Sequence, residues 1–227
     1  MRILIFGPNG SGKGTQSALL VERYRVLHVE SGAIFRDHAK RGTSLGLEAK
    51  NYTVRGALVP DNITIPMILE RLAQDDAREG WILDGFPRNR SQAQALLAGL
   101  DSAGTPLDVV VEISLVREIA RARLLGRRSC PNGHPNNLAI ASIRPQGGSE
   151  PYHCWKCGAA VSGRADDLDE RAIDIRLDIY FDAQLGTLAA IAVTKAWAGE
   201  RGVPYLGLDG SADIASVQAA LLAGLPR

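Results

Sequence analysis

The stretch RILIFGPNGSGKGTQ, Arg2 to Gln16, decides the fold. Arg2 to Phe6 is a short, mostly apolar run ended by Gly7, the pattern of a buried strand. Gly7, Gly10, Gly12 and Gly14 then space a loop, and Gln16 to Glu22 reads as helix. Glycines between a strand and a helix let backbone N–H groups converge on phosphate oxygens at the positive end of the helix dipole. Gly10, Ser11, Gly12, Lys13, Gly14 and Thr15 are the expected contacts to nucleotide phosphates, Lys13 bringing a mobile charge and Thr15 a hydroxyl toward Mg²⁺. The generic pattern has Ser or Thr directly after the lysine, and here Gly14 intervenes. A plain glycine turn requires neither the lysine nor the flanking elements, so nucleotide phosphate is the reading adopted.

Outward from this loop, apolar runs recur at Trp81 to Leu83 (ending at Asp84), Val109 to Ile113 and Tyr205 to Leu208. Helical patterning separates them, as in Ile65 to Leu72 and Ser91 to Leu100. Such alternation implies an α/β fold, a P-loop parallel sheet of about five strands with helices on both faces. Two segments break the rhythm. Residues 30–60 read as helical with no strong strand signal. Residues 127–163 are rich in Pro, Gly, Asn and Ser, and a long irregular insertion of that kind is expected to be a lid or binding loop.

Composition fits one core carrying insertions: 227 residues, 45% hydrophobic, formal net charge +1. Near-neutrality argues against a general polyanion binder, and no apolar run approaches the ~18 residues of a membrane span. The N-terminus lacks the long apolar region of a signal peptide, so a cytoplasmic protein is expected.

All three cysteines lie in SCPNGHPNNLAIASIRPQGGSEPYHCWKCG, Ser129 to Gly158. Cys154 and Cys157 form a C-x₂-C knuckle, and Cys130 and His134 are separated by the turn-forming Pro-Asn-Gly. The set C-x₃-H…C-x₂-C suits a closed tetrahedral structural zinc site; cobalt or ferrous iron fit the same donors. His153 is the alternative nitrogen ligand, although in an extended chain it faces away from Cys154. The intervening residues suggest a small ribbon around the Gly147-Gly148 turn. A stretch so polar cannot build its own core, and metal cross-linking offsets the entropy of ordering it.

The loop GPNGSGKGTQ, followed in order by SGAIFR (31–36), GALVPD (56–61), DGFPRNRSQAQAL (84–96), RLLGRR (123–128), GRADD (163–167) and RLDIY (176–180), resembles the adenylate kinases. The resemblance spans almost the whole chain. It implies reversible transfer of the terminal phosphoryl group of Mg·ATP to AMP, giving two ADP, by a monomer that binds neither nucleic acid nor membrane. It divides the chain into core (1–29, 61–126, 164–227), AMP-binding segment (30–60) and metal-bearing lid (127–163).

The resemblance also implies roles. Arg36 and Arg88 hold the AMP phosphate, Arg123 and Arg127 face ATP, and Arg164 and Arg176 close over the transferring group when the lid shuts. Lys13, Arg88, Arg123, Arg164 and Arg176 form the catalytic set. Ser31, Ala57, Leu58, Val59, Gly85, Phe86, Pro87 and Gln92 line the AMP site. Asp84 orients Mg²⁺, and Ala212 meets the ATP adenine. The chemistry is consistent, because phosphoryl transfer relies on positioning and charge cancellation, for which planar guanidinium forks are suited. Three departures stand out: Ala33 where the family usually has Asp, Ser31 for the common Thr, and one extra residue between Arg164 and Arg176. That last difference leaves Arg171 as the alternative to Arg176. Lids of this family usually hold zinc through four cysteines, and here His134 stands in one cysteine's place.

Two other functions fit parts of the pattern: a nucleoside monophosphate kinase for another base, and a nucleic-acid-binding zinc ribbon on a P-loop ATPase. Gln92 and Ser31 favour adenine. The ribbon has few Lys or Arg and is followed by Asp166, Asp167, Asp169 and Glu170, which disfavours nucleic acid.

Overall fold

The computed structural model describes residues 1–164 and 167–226; Ala165 and Asp166 of the GRADD motif and the terminal Arg227 lie outside the described residues. The strands are β1 Arg2–Phe6, β2 Leu27–Glu30, β3 Trp81–Asp84, β4 Val109–Ser114, β5 Arg127–Ser129, β6 Pro135–Asn137, β7 Tyr152–His153, β8 Ala160–Gly163 and β9 Tyr205–Asp209. The α-helices are α1 Lys13–Tyr24, α2 Ser31–Lys40, α3 Ser44–Thr53, α4 Asp61–Leu72, α5 Arg90–Ser102, α6 Arg117–Gly126, α7 Glu170–Phe181, α8 Thr187–Arg201 and α9 Ile214–Gly224.

Five strands form an all-parallel sheet in the order β2-β3-β1-β4-β9. Alternation along β1 shows why helices must cover both faces. Leu4 and Phe6 join a core with Ile68, Leu96 and Trp197, from α4, α5 and α8. Ile3 and Ile5 join another with Leu20, Val217 and Leu221, from α1 and α9. With both faces covered, strands such as Val109-Val110-Val111 read as continuous apolar runs. The chain leaves β1 for β2 on one side and later reaches β4 on the other, so the sheet reverses direction at β1. In open parallel sheets ligands bind at such a switch point, beyond the carboxyl ends of the strands.

β2 is an element that the apolar runs do not reveal. Its sequence LHVE buries only Val29 fully, and it pairs with a single neighbour, β3, at the sheet edge. Of residues 30–60, read as helical, 31–40 and 44–53 are so, as α2 and α3, whereas 41–43 and 54–60 are turn and loop. The 127–163 segment forms a separate antiparallel sheet in the order β6-β5-β8-β7. The ribbon expectation needs correction on one flank: Ala141–Ile143 is a 3₁₀ turn that buries Ile143. Nearer the Gly147-Gly148 turn the two flanks do meet as extended chain, Gln146 on the first bridging His153 on the second.

Candidate active site

The phosphate loop folds around glycines that no other residue replaces. Gly10 has φ 92° and Gly12, the N-cap before α1, has φ 97°, both left-handed conformations. A Cβ on Gly10 would also lie 2.9 Å from the Ala120 carbonyl oxygen. The Ser11 hydroxyl is buried with no hydrogen-bond partner among the described residues, a donor held inside the loop. Lys13 folds back, donating Nζ to the Gly7 and Pro8 carbonyls at 2.7 and 3.1 Å. An anion in the loop would offer that ammonium a stronger acceptor.

Lys13 Nζ lies 4.0 Å from Asp84 Oδ1 at the end of β3. Burial lowers the Lys13 ammonium below its ordinary value, and the Asp84 carboxylate opposes that drop. Burial pushes the Asp84 carboxyl up, but Lys13, His28 and Arg88 outweigh it and hold the group below its ordinary value. Asp84 therefore stays ionised near neutrality. It does not cap a helix: the N-cap of α5 is Asn89, whose side chain accepts the Gln92 N–H.

One cleft brings Lys13, Gly85, Phe86, Pro87, Arg88, Arg176 and Tyr180 together. Arg88 Nε donates to the Gly85 carbonyl at 2.7 Å, and burial lowers its guanidinium, Asp84 opposing and Arg176 adding to the effect. Ser31 Oγ donates to the same Gly85 carbonyl at 2.8 Å and so ties α2 to the cleft floor. Arg36 pairs with Glu30 at 2.9 Å and is not among the residues that line the cleft. Val59 and Phe86 are buried in the core beneath, Ala57 and Leu58 partly buried beside Val59.

The remaining arginines approach from the lid side. Arg123 donates to the Gly210 carbonyl at 2.7 Å and reaches the Gly10 carbonyl at 3.4 Å, spanning from the phosphate loop to the loop that carries exposed Ala212. Arg127, at the start of β5, donates to Asp167 Oδ2 at 2.6 Å, while Arg176 on α7 donates to Asp167 Oδ1 at 3.1 Å. This nearly buried carboxylate joins the lid base to the cleft, and spacing alone does not reveal it. Arg164, one residue beyond β8, accepts the Asp167 N–H through its carbonyl at 2.8 Å. Arg171, the alternative to Arg176, is exposed and does not line the cleft.

The four lid ligand candidates converge. One donor atom each from Cys130, His134, Cys154 and Cys157 lie within 4.8 Å of one another. Cys130 Sγ is 3.6 Å from Cys157 Sγ, and His134 Nδ1 is 3.8 and 3.7 Å from Cys130 and Cys154. Bonds of ~2.3 Å around a tetrahedral ion give edges of about 3.8 Å, so the donors fit a metal ion. His153 is exposed in β7 and stands outside the cluster. Two asparagines support the sulfurs: Asn136 Nδ2 donates to Cys154 at 3.3 Å, and Asn132 Nδ2 to Cys157 at 3.4 Å. Burial raises the Cys154 thiol, but the bonds from Asn136 and from the Cys157 and Lys156 N–H groups hold it down at about 6, favouring the ligating thiolate.

Comparison with known proteins agrees with this geometry. The family model described as adenylate kinase matches residues 5–190. The chain belongs to the adenylate kinase family. It is 53% identical to the adenylate kinase of Desulfosudis oleivorans, over 99% of this chain and 100% of that protein. It is 52% identical to that of Desulfatibacillum aliphaticivorans over 96% of each chain, and to that of Nitratidesulfovibrio vulgaris strain Miyazaki F over 98% of each. Within this adenylate kinase family member no helix of the described residues is long and apolar enough to cross a membrane.

Proposed function

We propose that the protein transfers the terminal phosphoryl group of Mg·ATP to AMP, reversibly, to give two ADP. The observation that carries this reading is the single cleft in which Lys13, Arg88 and Arg176 face one another beside Asp84. Three cations around one anion suit the binding and charge cancellation of two phosphate chains.

In the proposed mechanism Gly10 to Thr15 cradle the ATP phosphates, and Lys13 turns from the Gly7 and Pro8 carbonyls toward them. Arg123 and Arg127 hold ATP from the lid side, with Ala212 against its adenine. Arg36 and Arg88 hold the AMP phosphate in line, and Arg164 and Arg176 neutralise charge on the migrating group. Ser31, residues 57–59, Gly85 to Pro87 and Gln92 enclose the AMP base and ribose. Mg²⁺ bound with ATP supplies further charge neutralisation, and Asp84 would orient its water shell. Closing of residues 30–60 and 127–163 over the core would exclude water, so that AMP rather than water accepts the group.

For the lid we propose a structural zinc held by Cys130, His134, Cys154 and Cys157: three sulfurs and one imidazole suit that ion, and the four leave no open position for a catalytic water. Thiols gathered as ligands suit a reducing, cytoplasmic compartment. A coupled assay offering AMP, GMP, CMP and UMP with Mg·ATP tests the reading. AMP is the expected acceptor, and preference for another monophosphate contradicts it.

A further inference from the structure

Asp61 opens α4, and its carboxylate reaches across to α5. Asp61 Oδ1 accepts from Gln92 Nε2 at 2.7 Å, and its two oxygens accept from Asn89 Nδ2 at 3.0 and 3.2 Å. On the other side of the same amide, the Arg88 backbone N–H donates to Gln92 Oε1 at 2.8 Å. A carboxylate only accepts and a backbone N–H only donates, so the buried Gln92 amide has one orientation that satisfies both. In that orientation Nε2 keeps one N–H and Oε1 keeps one lone pair for a ligand.

We propose that Asp61 is the positioning residue that sets base choice at this site, by preventing the Gln92 amide from turning over. The inference rests on the reading of Gln92 as part of the AMP pocket. A 6-aminopurine presents a ring-nitrogen acceptor beside an amino donor, which complements the remaining N–H and lone pair. A 6-oxopurine presents the reverse, a ring N–H beside a carbonyl. To accept it, the amide would have to turn, aiming Oε1 at the Asp61 carboxylate and leaving the Arg88 N–H without an acceptor. Leaving buried polar groups unpaired is how a hydrogen-bonding pocket rejects a near-isostere. Asp61→Ala removes one of the two constraints, and water in its place can donate or accept. The Arg88 N–H survives every side-chain substitution, so discrimination should narrow rather than vanish.

The test compares kcat/KM for AMP and for inosine 5′-monophosphate at saturating Mg·ATP. In Asp61→Ala the preference for AMP is expected to fall by about fivefold or more, through a raised KM for AMP, with KM for ATP unchanged. Asp61→Asn keeps an acceptor oxygen, which Asn89 Nδ2, donating to the same position as Gln92 Nε2, holds toward Gln92, so this variant should stay within about twofold of wild type. An unchanged preference in Asp61→Ala, or an equal fall in both variants, overturns the proposal. If Asp61→Ala does not fold, solvent exchange of the wild-type Gln92 side-chain amide decides. Slow exchange of one proton is expected, and exchange at the rate of exposed glutamines overturns the proposal. A wild type that phosphorylates neither acceptor contradicts the function itself, whereas an AMP-specific wild type with an indifferent Asp61→Ala contradicts Asp61 alone.

Discussion

Asp167 Oδ2 accepts from Arg127 at 2.6 Å while its other oxygen accepts from Arg176, so one carboxylate holds the lid base to the cleft. The Asp167 side chain is 3% exposed and that of Arg176 10%. Removing the buried carboxylate takes an ion partner from each of two arginines, and breaking a buried pair costs more than the pair itself contributes. Asp167→Ala should therefore lower stability by about 3 kcal/mol, read from urea unfolding. A loss below about 1 kcal/mol, the range of surface pairs, would show that water already screens this contact.

Acid stability should depend on Asp84. Its folded-state pKa lies below the ordinary value of 3.8, so between the two the unfolded chain binds more protons. The stabilisation is present above the ordinary value and is lost as pH falls through the folded one. Wild type should lose more of its melting temperature between pH 7 and pH 3 than Asp84→Asn loses. Equal losses would mean that Lys13, His28 and Arg88 do not hold the carboxylate.

Removing the lid metal should destabilise the protein. Chelation, with loss of the ion verified by elemental analysis, should lower the melting midpoint by at least about 5 °C. Phosphoryl transfer measured at low temperature should persist, because the arginines and Lys13 stand apart from the cluster. An unchanged midpoint after stoichiometric loss contradicts a structural ion.

The fourth ligand separates two variants. His134→Asn should fall below one bound metal per chain, and His153→Asn should retain it, since His153 is exposed on β7 and outside the cluster. The opposite pattern contradicts the donor set.

Short continuous apolar runs and glycine spacing made the centre of this fold legible in the sequence. β1, β3 and β4 lie inside the sheet, buried on both faces, and so carry continuous hydrophobic residues, while β9, half-buried at one edge, still shows Tyr205, Leu206 and Leu208. β2 was not legible, because an edge strand of four residues buries one side chain fully, and His28 and Glu30 break the run. Ala141–Ile143 reads as extended from its residue types, yet it turns as 3₁₀ to bury Ile143 in a lid with little else apolar. Motif positions named the arginines, but not what holds them: Asp167 joins Arg127 to Arg176 across contacts distant in sequence. Asp61 and Asn136 escaped notice for the same reason. Their roles depend on what lies opposite them, Gln92 in one case and Cys154 in the other.

The central claim is that this cleft passes a phosphoryl group from ATP to AMP with Lys13 taking part. Phosphorus NMR of Mg·ATP and AMP with catalytic protein tests it most directly, with Lys13→Ala alongside. Two ADP should form for each AMP consumed, without inorganic phosphate, and the rate in Lys13→Ala should be at least roughly 10²-fold lower at unchanged fold. Release of inorganic phosphate with AMP untouched, or a Lys13→Ala protein as fast as wild type, would contradict it.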